Sequence, residues 1–191
     1  MPIVRLEAMA KGTGNLPLDN VYVNNVAAAE AATNYLMVKG HKRIAVIGRE
    51  TGPHFVRLRG YRQALLAKGL GETVVHASDF TEEGGYSAMQ QLLTASPRPD
   101  AVFAVNDLLA VGALVAAREA GLKVPEDIAI MGFDDIPLAK LMSPALTTVA
   151  QPQRLLGTRA AELLFERLGD SAAVAGRSEE LPFKLVIRES A

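Results

Sequence analysis

Pro99-Asp100-Ala101-Val102-Phe103-Ala104-Val105-Asn106-Asp107 is the stretch on which the reading of the fold turns. The run between the two polar pairs is too apolar for a strand with one wet face and too short for a helix. A helical pattern follows at once over 108–120 and is closed by Gly121, the residue type expected just beyond a helix end. A strand buried on both faces that leads directly into a helix is the building unit of a parallel sheet with crossover helices.

Outward from that unit the same alternation fills the chain. Apolar runs at 3–6, 21–23, 43–47, 73–76, 101–105, 128–132, 147–150 and 183–187 predict strands. Helical patterns at 27–39, 56–68, 82–94, 108–120 and 153–168 predict the helices between them, and Gly40, Gly69 and Gly169 follow three of these. The small, polar tract 171–178 reads as a surface loop. The fold class is therefore α/β, parallel sheets with crossover helices.

Composition narrows the function. With 49% hydrophobic residues the 191-residue chain has a core to bury, and its net charge of −1 offers no field to attract phosphate backbones or anionic lipid. There is no cysteine, which removes disulfides, thiolate zinc sites and cysteine nucleophiles and suits a cytoplasmic location. Arg5 and Glu7 interrupt the first apolar run, so no signal peptide is expected there, and no segment approaches the roughly 18 uncharged apolar residues of a membrane span. No phosphate-cradling loop is present: Gly12-Thr13-Gly14 lacks a third glycine and a helix start. His41, His54 and His76 are dispersed, without H-E-x-x-H or G-x-S-x-G, so neither a metal nor a cofactor nor catalysis is expected. Asp134-Asp135 alone is too few oxygens for a hard cation. Lys39, Lys42 and Arg43 read as a solvated turn, with no helix-turn-helix beside them.

In an open parallel sheet, ligands bind beyond the carboxyl ends of the strands, so the residues just after each strand deserve inspection. Here they are polar: Arg57 after the third run and its loop, Asp79-Phe80, Asn106-Asp107, Phe133-Asp134-Asp135 and Gln151-Pro152. One guanidinium, one aromatic face, two amides and several carboxylates suit a small hydroxylated molecule. The same residue types have structural uses. Asp79, Asp107 and Asp135 are expected as helix caps, Asn106 and Phe80 are open between ligand contact and structural support, and Arg57 and Arg59 read as helix-start arginines of the kind usually solvated.

Several motifs in register resemble those of the LacI/GalR regulators. Gly40-His41-Lys42-Arg43-Ile44-Ala45 is similar to their G-H-x-x-I-A, Arg57-Leu58-Arg59-Gly60-Tyr61 to R-x-x-G-[FYW], and residues 99–107 to P-D-A-[IV]-F-x-x-N-D. Val124-Pro125-Glu126-Asp127, Gly132-Phe133-Asp134-Asp135, Leu146-Thr147-Thr148-Val149 with Gln151-Pro152, and Arg188-Glu189-Ser190 extend the set nearly to the end of the chain. Val23-Asn24 and Ala28 depart from the family, where Asp-Asn and glycine are frequent.

The resemblance implies a periplasmic-binding-protein-like type I architecture, with the C-terminal subdomain complete and the N-terminal one partial. The expected boundaries are 1–23 for the N-terminal remnant, 24–149 for the effector-binding subdomain, 150–170 for a helix of the N-terminal subdomain, and 171–191 for a loop and final strand of the C-terminal one. Arg57, Phe80, Asn106, Asp134 and Gln151 fall on effector-contacting positions, and Glu7 falls where the family often has an acid facing the cleft. The implied function is sugar-like effector binding in a dimeric repressor whose operator-binding headpiece is not in this chain. Two alternatives are a solute receptor of a sugar transporter and a sugar-directed enzyme with Asp134 or Asp107 as base. The 153–168 helix aligns Leu156, Ala160, Leu163, Leu164 and Leu168 on roughly one side, a face that should be covered.

Overall fold

The computed structural model describes residues 3–6, 18–50, 54–169 and 175–191. In chain order these form β1 (Val4–Leu6), β2 (Asp19–Val23), α1 (Asn25–Val38), β3 (Ile44–Gly48), α2 (Phe55–Ala67), β4 (Thr73–His76), α3 (Glu82–Leu93) and β5 (Ala101–Ala104). There follow α4 (Asp107–Glu119), β6 (Ala129–Asp134), a 3-10 turn over Pro137–Lys140, β7 (Thr147–Ala150), α5 (Gln153–Gly169), β8 (Ser178–Leu181) and β9 (Lys184–Val186). They divide into a smaller unit, Met1–Asn24 with Gln151–Phe183, and a larger one, Asn25–Ala150 with Lys184–Ala191.

The larger unit is built on a sheet of order β4-β3-β5-β6-β7-β9, parallel except for the antiparallel edge strand β9. The step from β3 to β4 runs one way across the sheet, and the steps to β5 and β6 run the other. Right-handed crossovers then place α2 on one face and α3 and α4 on the opposite face. Both faces are covered, so β3 and β5 are buried at every position, which is why their sequences do not alternate.

Glycines let the helices meet closely. A Cβ on Gly60 of α2 would lie 2.2 Å from the Val26 carbonyl at the start of α1, and one on Gly112 of α4 would lie 1.8 Å from the Glu82 carbonyl on α3. Two of the sequence motifs meet below the sheet: the Asp100 carboxylate accepts from the backbone N–H of Lys42 (3.2 Å) and Arg43 (3.0 Å). The basic tract is a turn held by that acid, with Lys42 and Arg43 exposed.

In the smaller unit β1, β2 and β8 form a parallel sheet in the order β1-β2-β8. Leu156 and Leu163 of α5 cluster with Val21, Val23 and Leu181, with Val4, Ala160 and Phe183 packed around them. The buried face of α5 is narrower than its pattern: Leu168 is 62% exposed, and Phe165 beside it 72%. Fully buried Asp19 accepts from Arg167 Nε and Nη2 (both 2.7 Å) and from Arg177 N and Nη2 (both 2.8 Å), tying β2 to the end of α5 and the approach to β8.

Strand β8 was not expected. Its sequence, Ser-Glu-Glu-Leu, is polar and buries only Leu181. Because β8 pairs with β2, residues 171–191 are not a single piece of the larger unit, and only Lys184 onward joins the larger sheet. No described helix is long and apolar enough to cross a membrane.

Candidate functional site

The reversal of crossover direction leaves a crevice between the carboxyl ends of β3 and β5, the place where open α/β sheets take ligands. Arg49 follows β3, Asn106 follows β5, and the start of α2 brings in His54 and Arg57. Phe80 arrives from the turn after β4 and Asp134 from the end of β6.

Arg57 is the hub, and its environment differs from the solvated helix start that its pattern predicts. It is 1% exposed, whereas Arg59 is exposed. Its Nε donates to Asn25 Oδ1 (2.8 Å) and its Nη1 to the Val105 carbonyl (2.6 Å), and its Nη2 lies 3.2 Å from Asp134 Oδ1. The guanidinium carbon sits 3.6 Å from the centroid of the buried Phe133 ring, a cation-π contact in a desolvated setting. Asp134, its side chain 20% exposed, is thus an acceptor held beside a fixed cation.

Phe80 is half-buried and its ring has two neighbours: His54 meets it in a T-shaped contact at 4.6 Å and 75°, and the Arg49 guanidinium lies 5.8 Å from its centroid. Burial, then the charge of Arg57, pushes the His54 imidazole down to about 4, so it is neutral near pH 7. Arg49 also donates to the Ser78 carbonyl, which steadies the turn carrying Phe80.

Asn106 is the N-cap of α4. Its Oδ1 accepts from Leu109 N (2.8 Å), and its Nδ2 donates to the Phe80 carbonyl (3.1 Å). An amide has two donor hydrogens and two acceptor lone pairs, so half of that capacity serves the scaffold.

The three expected caps are all otherwise engaged. Thr81, not Asp79, caps α3, and Asp79 accepts from Thr81 N (3.0 Å) instead. Asp107 lies inside α4, fully buried, and accepts from Thr148 Oγ1 (2.6 Å) and Ile136 N (2.9 Å). Asp135 is paired with Arg188 Nη2 at 2.6 Å. Burial above all, with the Asp134 and Asp135 charges adding to it, pushes the Asp107 carboxyl up to about 6 against the hydrogen bonds from Thr148 and Ile136.

Arg57, Phe80, Asn106 and Asp134 therefore gather on one end of the larger unit. Gln151, buried, belongs to the smaller unit, and Glu7 lies outside the described residues. His54, Arg49, Phe133 and Asp107 are the contributors that sequence reasoning missed in these roles. His54 had one usable signal, its place one helical turn before Arg57.

A family model for the periplasmic binding protein-like domain matches residues 33–191. The HTH-type transcriptional repressor CytR of Escherichia coli (strain K12) is 44% identical over 180 residues, 92% of this chain and 52% of that protein. A LacI family transcriptional regulator from Enterococcus faecium, solved with bound ribose, superposes with a TM-score of 0.88 at 30% identity, covering 99% of this chain and 70% of that one. The complex of the transcriptional regulator CelR with cellobiose gives 0.84 at 34% identity, over 98% and 58%. The chain spans about half the length of the curated relative it matches. These similar proteins are transcriptional regulators rather than enzymes. With the β-α order, the sheet topology and the motifs in agreement, the chain belongs to the periplasmic binding protein-like domain family, in the form that LacI-family transcriptional regulators carry as their effector-binding domain.

Proposed function

We propose that this chain binds a small sugar at the carboxyl ends of β3 to β6 and reports its occupancy to the DNA-binding headpiece of a longer repressor. The observation that carries the proposal is the buried Arg57 paired with a partly exposed Asp134, with the half-buried Phe80 ring in the same crevice. A carboxylate accepts hydroxyl hydrogens, and an aromatic face covers the apolar face of a sugar ring. Arg57 keeps Asp134 aimed. Ribose and cellobiose in two similar regulators favour the same ligand class here. With a net charge of −1, this chain leaves operator contact to the headpiece, and the longer protein works as a pair of copies.

A thermal melt with millimolar ribose, cellobiose and related sugars tests this. A ligand at about 100 times its dissociation constant adds about 2.7 kcal/mol to stability. One sugar class should raise the melting temperature by several degrees, and Phe80→Ala and Asp134→Asn should each abolish that rise. A cooperative melt that none of the sugars moves would count against the proposal.

A further inference from the structure

We infer that Asp107 is a positioning residue of the sugar site, its buried carboxylate fixing the turn that aims Asp134. The inference rests on the proposed role of Asp134 as an effector contact. Asp134 and Asp135 both have positive φ, 118° and 55°, a conformation that side chains with a Cβ rarely adopt. Such a turn persists where its surroundings over-determine it. Three groups do so here, Arg57 among them through its contact with Asp134 at 3.2 Å. Arg188 holds Asp135 by its 2.6 Å ion pair, and Asp107 Oδ2 accepts the Ile136 N–H at 2.9 Å, just past the two strained residues.

The seat of Asp107 is built for a carboxylate. Its second oxygen takes the Thr148 hydroxyl at 2.6 Å, and the chain beneath it is Gly132, where a Cβ would lie 2.2 Å from Asp107 Oδ1. The charges of Asp134 and Asp135 at the end of β6 act on it, each carboxylate paired with an arginine, Arg57 and Arg188, and β7 presents the uncharged Thr148. Asn106, its neighbour in sequence, fastens the Phe80 backbone in the same way. The Asn106-Asp107 pair thus ties the two ligand-facing turns to one helix start.

Ionised Asp107 accepts at both oxygens. Protonated, it must donate from one oxygen to Thr148 Oγ1, and its hold on the Ile136 N–H weakens. Asp107→Asn reproduces that second arrangement permanently, because its amide donates to Thr148 while its carbonyl still accepts from Ile136. Asp107→Ala leaves the Ile136 N–H without its acceptor.

The test combines amide NMR of the unliganded chain with ribose titration, each from about pH 5 to about pH 8. In the wild type the Ile136 amide proton should titrate with a midpoint near 6, and in Asp107→Asn it should stay flat. In Asp107→Ala, hydrogen exchange at residues 134–136 should speed up while β5 stays protected. Ribose affinity should fall by about ten-fold or more in Asp107→Ala. In Asp107→Asn it should be pH-independent and equal to the wild-type value at low pH. Unchanged exchange at 134–136 in Asp107→Ala, or wild-type ribose affinity in that variant, would overturn the inference. If no sugar binds but the amides respond as described, the sugar reading fails and the positioning role stands.

Discussion

Each nitrogen of Arg57 has its own partner, and those partners come from the start of α1, the end of β5 and the end of β6. Replacing it with alanine strips Asp134 of its cation and leaves the Val105 carbonyl and Asn25 without that donor. Breaking a buried pair from one side costs about 3 to 5 kcal/mol. Arg57→Ala and Asp134→Asn should therefore each lower the denaturation midpoint as well as weaken sugar binding, the second because it leaves the buried Arg57 without its counter-charge. Urea titration of both variants checks this. The sequence marks Arg57 as the opening of a helix, but its burial depends on a carbonyl 48 residues further along the chain. Local pattern does not decide the roles of Phe80 and Asn106 for the same reason, since the bond that joins them spans 26 residues. Composition at a strand end shows which chemistry is available, and only the superposition of several strand ends shows which groups are spent on the scaffold.

Helices α3 and α4 approach so closely that Gly112 has backbone where a side chain would start. Gly112→Ala would normally favour a helix by about 1 kcal/mol. Here the methyl meets the Glu82 carbonyl, and overpacking of this kind costs about 1 to 3 kcal/mol or more. The variant should be less stable than wild type, with a thermal midpoint lower by several degrees, and a rise in midpoint would contradict the packing described. Elements of this kind were the most legible part of the chain. All five helices and the central strands lie within a few residues of their expected places, because strands buried on both faces and helices ended by glycine leave strong local signals. β8 left none: a polar edge strand with one inward side chain differs little from a loop until its partner β2 is known.

Two buried carboxylates, one in each unit, respond to acid in opposite senses. Burial would raise the Asp19 carboxyl, but its hydrogen bonds from Arg167 and Arg177 outweigh that and hold it well below the ordinary 3.8. Its stabilising contribution is present above pH 3.8 and is lost as the pH falls below that value. Asp107, raised to about 6, contributes in the other direction: folding favours its protonated form, so that contribution is full below pH 3.8 and is lost as the pH rises through 6. Asp19→Asn should therefore release the amides of Val21 and Val23 to exchange at neutral pH while those of Val102 and Phe103 stay protected. For the molecule as a whole, the α/β class followed from local pattern, and the family from motifs spread over nearly the whole chain. The division of residues 171–191 between the two units did not, because it is set by strand pairing rather than by local composition. If a sugar occupies the crevice at the carboxyl ends of β3 to β6, hydrogen exchange with and without the sugar that gives the largest thermal shift should show new protection concentrated at Phe80, Asn106 and Asp134–Ile136, absent in Phe80→Ala. Protection confined to the opposite ends of these strands, around Arg43 and Asp100, or no sugar-dependent protection at all, would contradict that occupancy.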